Sequence, residues 1–297
     1  MPIYELAALA AALTWALTGI VSADPSKHFG AVAFNRTRMA MVFAMLAIWV
    51  SFAGTWGTLS DGTFWPLVLS GFIGIFLGDT ALFLTMNRLG PRRTSILFSM
   101  NAPMSVVLGF AVLGEALTPT TLVGVLITIV GVVLAIIFGK SKSQLHNWES
   151  VTGALWVGVL LGLAAALAQA IGALIARPVM EIGVDPVAAS AVRVGVAALG
   201  LTLLMQLPQQ SLKQKNPGST KLWTQVALSG FLGMGVGMTL LLFGLSGGKV
   251  GIVTTLSATT PALLLPLLWW RTKEIPALGA WIGAFLVIIG SALIFNG

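Results

Sequence analysis

The chain has 297 residues, of which 57% are hydrophobic and 8% charged, against roughly 25% charged in an average soluble domain. Its mean hydropathy is +0.97, and a soluble fold of this size leaves a surface too large for so few polar residues to cover. A soluble globular class is therefore excluded, and the net charge of +7, spread over short loops, points to an anionic lipid surface and away from nucleic acid.

A hydrocarbon core of about 30 Å takes about 20 helical residues. Apolar runs of that length lie at 3–22, 33–53, 64–87, 94–114, 119–139, 152–176, 186–207, 222–246, 250–270 and 276–296, which predicts an all-α polytopic protein of ten transmembrane helices. No Lys or Arg precedes the first run, so it reads as a retained span and not as a cleaved signal. It carries Trp15. The second span holds Arg38; the third holds Gly71, Gly74, Gly78 and then Asp79; the fourth holds Asn101 and Pro103. Thr118-Pro119 reads as the N-cap and first turn of the fifth. A polar linker, 140–151, then separates an N-terminal half (1–139) from a C-terminal half (152–297). Gln169 lies in the sixth span, Arg193 in the seventh, Gly230, Gly233, Gly237 and Met238 in the eighth, and Pro261 in the ninth.

Segments that follow odd-numbered spans hold Lys27, Arg36, Arg88, Arg92, Arg93, Lys140, Lys142, Lys213, Lys215, Lys221, Arg271 and Lys273; the other side has Arg177 and Lys249. The positive-inside rule then places the protein in a cytoplasmic (inner) membrane with both termini outside the cytoplasm.

The halves repeat one another. Leu9-Ala-Ala-Ala-Leu13-Thr-Trp15 aligns with Leu163-Ala-Ala-Ala-Leu167-Ala-Gln169 at an offset of 154. Val32 through Arg38 aligns with Val187 through Arg193 at 155, and Leu69 through Gly74 with Leu228 through Gly233 at 159. Pro103 meets Pro261, Glu115 meets Glu274, and Gly124 and Gly131 meet Gly283 and Gly290. Since each half has five spans, the second enters the membrane from the opposite side, and inverted repeats of this kind are a transporter architecture with a midplane site.

Several side chains inside these spans have two readings. Asp79 is a mid-span carboxylate, costly in lipid by at least about 2.5–3.5 kcal/mol; it either holds a substrate amine or proton, or locks helices together. Its repeat counterpart is Met238. Arg38 either braces helices or snorkels to the interface, whereas Arg193, deeper in its span, needs a carbonyl or carboxylate partner. Trp15 and Gln169 occupy matching positions among small residues, and each suits ligand contact or helix packing; Asn101 is similar. Pro103 and Pro261 each remove a backbone hydrogen bond within a span, which favours a hinge or a fixed bend. The glycines suit close helix approach, and Glu115 and Glu274 read as structural loop-end groups.

With Arg38 and Arg193 in the second helix of each half, a Gly-rich third helix, a Pro-containing fourth ending near Glu and a Gly-spaced fifth, the chain resembles the EamA-like branch of the drug/metabolite transporter superfamily along nearly its whole length. The resemblance implies a ten-helix exporter or exchanger whose cavity is walled by the first four helices of each half, with the fifth peripheral. Many members look N-inside, a departure from the charge pattern here. The expected cargo is a small organic metabolite, amino acids foremost; multidrug, nucleobase or sugar-conjugate transport, and a scramblase or channel, are the alternatives. No Cys is present, and His28 and His146 fall in connecting segments, so neither an intramembrane enzyme nor a metal site is expected, and no cofactor. The expected partners are the small-molecule substrate and the bilayer, with the monomer as the working unit.

Overall fold

The computed structural model describes residues 3–113, 118–139, 150–247, 253, 256–257 and 259–296. Ten helical passes make up nearly all of them, and no strand occurs among the described residues. They are α1 (Ile3–Phe29), α2 (Ala31–Ala53), α3 (61–89), α4 (91–113), α5 (Pro119–Ile137), α6 (Leu155–Glu181), α7 (Pro186–Leu204), α8 (Thr220–Gly247), α9 (Thr260–Thr272) and α10 (Leu278–Asn296). The linker segment 140–149 lies outside the described residues, as do Glu115, Lys140, Lys142, His146, Lys249 and the predicted start of the ninth span at 250.

Local chemistry sets the helix ends. Thr118 and Asp185 cap α5 and α7 through their side chains, each followed by a proline in the first turn. Gly30 (φ 89°) turns α1 into α2, and Gly90 (φ 80°) turns α3 into α4, conformations open to glycine because it has no Cβ. α1 continues past its predicted end at residue 22 because the polar side chains beyond it find partners: Ser26 Oγ and the Ser26 carbonyl both bond the Asn87 amide at 2.9 Å, and Asp24 faces Arg271 at 3.7 Å. His28, expected in a connecting segment, thus sits in the last turn of α1. Arg92 and Arg93, expected as exposed loop cations, are buried at the start of α4. Arg92 Nη1 donates to the Ala135 carbonyl at 2.9 Å, which satisfies a free carbonyl at the C-terminal end of α5.

The outer surface is apolar, as lipid contact requires: Leu126, Val130 and Ile137 of α5 and Phe285 of α10 are exposed. Trp49 and Trp65 at one end of the bundle, and Trp156 and Trp270 at the other, are also exposed, where indole rings favour the membrane–water boundary.

Contacts between the halves follow the inverted symmetry. A Cβ on Gly124 would lie 2.6 Å from the Gly290 carbonyl oxygen, and one on Gly290 would lie 2.7 Å from that of Gly124; Gly131 and Gly283 repeat the arrangement at 2.8 and 2.6 Å. Rising numbers on α5 meet falling numbers on α10, so the two helices pack antiparallel and backbone to backbone, as small residues permit in bilayers. In the same way α3 meets α6 at Gly74 and Gly172, and α8 meets α1 at Gly233 and Thr18, positions equivalent under the repeat. The third helix of each half is locally underwound to a π turn, Gly71–Leu77 in α3 and Phe231–Met238 in α8. Such bulges re-aim the side chains that follow them and recur at functional sites.

Candidate functional site

The two π turns hold the two arginines. The α7 backbone at Arg193 lies against α3, where a Cβ on Gly71 would come within 2.6 Å of the Arg193 carbonyl oxygen. On the other side, a Cβ on Gly230 of α8 would lie 3.2 Å from Arg38 Cγ. Glycine is what lets each arginine come this deep. Arg38 donates through Nη1 to Asp79 Oδ2 at 2.9 Å and to Asn35 Oδ1 at 3.2 Å, and its guanidinium lies 4.8 Å from the Phe83 ring centroid. The Arg38 and Asp79 side chains are only 2% and 5% exposed. Arg38 therefore does not snorkel. It belongs to a charge-assisted pair deep in the protein, with an aromatic face beneath it.

Arg193 lacks that partner. Its Nη1 contacts the Met238 sulfur at 3.2 Å, and Met238 stands where the first repeat has Asp79. A thioether is a weak acceptor. Arg193 is 1% exposed, and its Nε and Nη2 meet no acceptor among the described residues. The carbonyl or carboxylate expected for it is absent from its contacts. The Asp79 charge acts on Arg193 through space, with no hydrogen bond between them. The polar centre of the molecule thus holds two guanidinium groups and one carboxylate.

Beside this centre lies a cavity of about 890 Å³, its open mouth included. Trp15, Asp79, Asn101, Gln169 and Met238 all line it, and so does Arg38, whereas Arg193, Pro103 and Pro261 do not. The Trp15 Nε1–H is committed to the Gly233 carbonyl (3.0 Å), which fixes the indole. Asn101 Nδ2 donates to the Phe98 carbonyl at 2.8 Å. Gln169 makes no hydrogen bond among the described residues, so its amide is unengaged. Leu82, Phe83, Met86, Phe98 and Met234 supply apolar wall.

The cavity is one-sided. Its wall runs from mid-depth to Met86 at the end of α3 and Pro91 at the start of α4, and a smaller pocket sharing those two residues continues to Lys27 and Asn87. That is the end of the bundle bearing the basic loops. Towards the opposite end, Ala8 and Ala11 of α1, Val50 of α2, Leu67 of α3, Ala188 of α7 and Leu242 of α8 belong to one buried apolar cluster, and none of them lines the cavity.

The prolines lie at breaks in their helices. α4 turns at Ser99–Met100 before Asn101–Leu108, and Pro103 falls in the first turn after the break; Pro261 falls in the first turn of α9. Each is thus at a helix start, where its missing N–H costs little, and not in a helix interior. Carbonyls next to the breaks are taken by side chains three residues on, Phe98 by Asn101 and Ser257 by Thr260.

Sequence reasoning did not single out Ser22 or Ser95. Both line the cavity, and their hydroxyls have no hydrogen-bond partner among the described residues. Nor did it pair Arg38 with Asp79, although each needed an opposite charge and they lie in the second and third spans of one half; that mutual need was the usable signal.

No curated protein matches the chain. A solved crystal structure, described only as that of a protein, superposes with a TM-score of 0.73 over 98% of this chain and 95% of its own at 18% identity, which shows a shared fold. The profile of the EamA-like transporter family matches residues 2–137 and again 156–296, one repeat after the other. With ten apolar helices in two repeats around one polar-centred cavity, the chain belongs to the EamA-like transporter family, membrane transporters of the drug/metabolite type.

Proposed function

We propose that the chain is a secondary transporter that exports or exchanges small organic metabolites, foremost amino acids with apolar or aromatic side chains, by exposing its cavity to the two sides of the membrane in turn. The composition of the cavity wall is the observation that carries this reading. An unengaged amide (Gln169) and a fixed indole face (Trp15) stand beside the Arg38–Asp79 pair, and the rest is mostly apolar. Such a wall offers polar groups to an α-amino or carboxyl group and apolar surface to a side chain. Trp15, Asp79, Asn101, Gln169 and Met238 are assigned to the substrate, Arg38 and Arg193 to bracing (a role that leaves the free N–H groups of Arg193 available to a ligand), and Pro103 and Pro261 to hinges. Energy comes from the cargo gradient, from exchange, or from protons through Asp79. The basic loops face the cytoplasm, so both termini are outside and the cavity opens inward, in a protein that works as a monomer in the cytoplasmic membrane.

Uptake of labelled L-leucine and L-phenylalanine into proteoliposomes, with unlabelled competitors and with or without a pH gradient, tests this reading. Saturable uptake is expected. It should fall roughly tenfold in Gln169→Ala, the scale of one lost hydrogen bond, and stay unchanged in Leu126→Ala on the lipid-facing surface. Uptake that is the same in Gln169→Ala and Asp79→Asn as in the wild type would sink the site assignment. No flux of any small solute would favour a scramblase.

A further inference from the structure

The two repeats place an arginine at the same point of each half and answer it differently. Arg38 has a carboxylate, an amide oxygen and an aromatic face for partners, with Nε left over: Nη1 donates to Asp79 and Asn35, and the Phe83 ring lies against the guanidinium. Arg193 has a methionine sulfur and nothing else for its polar atoms among the described residues. A buried charge whose counter-charge acts only at a distance is poorly compensated, and a carboxylate brought into contact with it is correspondingly favoured. Met238 is both the group that touches Arg193 and part of the cavity wall. Its side chain is unbranched and has three rotatable bonds, so it can swing aside at small cost.

We propose that Arg193 is a carboxylate-binding site of this transporter, covered by Met238 in the present conformation, and that it makes the protein selective for cargo bearing a carboxylate over amines and other cations. With the cavity read as the cargo site, as above, an incoming carboxylate meets the like charge of Asp79 at Arg38 but only a neutral thioether at Arg193. A planar guanidinium with two unused N–H nitrogens offers a carboxylate the paired geometry that suits it. A lone cation in the cargo would meet two guanidinium groups and a carboxylate that is already engaged. The repeat thus supplies an internal comparison: the first half carries its own carboxylate at this point, and the second half receives one from the ligand.

Inorganic anions share the charge but not the shape, so the test separates them. The purified protein is heated in detergent at fixed pH and ionic strength, and unfolding is followed by tryptophan fluorescence. Sodium acetate is expected to raise the midpoint by a few degrees, sodium chloride by clearly less and acetamide not at all, and Arg193→Gln should abolish the acetate effect. Met238→Asp, which builds the first half's partner into the second, should raise the midpoint without added anion and remove the response to acetate. Equal effects of acetate and chloride would overturn the carboxylate assignment. An acetate effect that survives Arg193→Gln, or none in the wild type, would overturn the site. Because no transport is measured, these results stand apart from whether amino acids are the cargo.

Discussion

Arg38 and Asp79 stabilise one another only as a pair. Taking two charges out of water is costly, and the pair repays it through a short, charge-assisted contact at 2.9 Å. Removing one partner strands the other in a buried site. Asp79→Asn is therefore expected to destabilise the protein by about 3–5 kcal/mol, seen as a lower unfolding midpoint in detergent. The double variant Arg38→Gln/Asp79→Asn should lose less than the sum of the two single losses, because neither charge is then left alone. Additive losses would mean that the two groups act separately. Neither residue's role could be read from its own neighbourhood in sequence. Asp79 follows a glycine run, and Arg38 lies near a helix end where snorkelling is the ordinary outcome; their meeting depends on how α2 packs on α3, which the π turn re-aims. Arg193 was harder still, because a methionine opposite a guanidinium has no sequence signature.

At the level of elements, the glycine contacts decide how close the helices come. Gly124, Gly131, Gly283 and Gly290 each bring one backbone against another between α5 and α10, with room for no Cβ. Gly290→Leu is expected to lower the unfolding midpoint sharply, because its side chain would meet the Thr128 hydroxyl and the backbone of α5. Gly57→Ala, where nothing lies within 4 Å of the added carbon, should leave the midpoint unchanged. A loss as large at Gly57 would show that glycine flexibility, and not close approach, is what matters. The repeat of these glycines was legible in advance, because they are spaced along single helices and recur at a fixed offset, whereas the helix each would meet was not. The same is true of the prolines, although their setting was not: each lies at the start of a helical segment after a break, where the backbone chooses between tightening and bending. The surplus length of α1 was illegible for a simpler reason, since Ser26 continues the helix by bonding Asn87, far away in sequence.

For the whole molecule, two halves of opposite direction enclose a cavity whose lining runs towards the basic end, with buried apolar side chains packed towards the other among the described residues. Antiparallel packing of α5 on α10 ties the repeats at the periphery, and the arginines on the π turns tie them at the centre. A C-terminal reporter that is active only outside the cytoplasm is expected to give a signal, and a cytoplasmic signal would reverse the orientation drawn from the loop charges. The one-sided cavity itself is open to a direct measurement, helped by the absence of native cysteine. Leu82 lines the cavity without contributing a polar group to it. In membrane vesicles, Leu82→Cys should react with a membrane-impermeant maleimide applied from the side of the basic loops and stay protected from the other side. Equal labelling from both sides, or from the opposite side alone, would contradict a single cavity opening towards the basic loops.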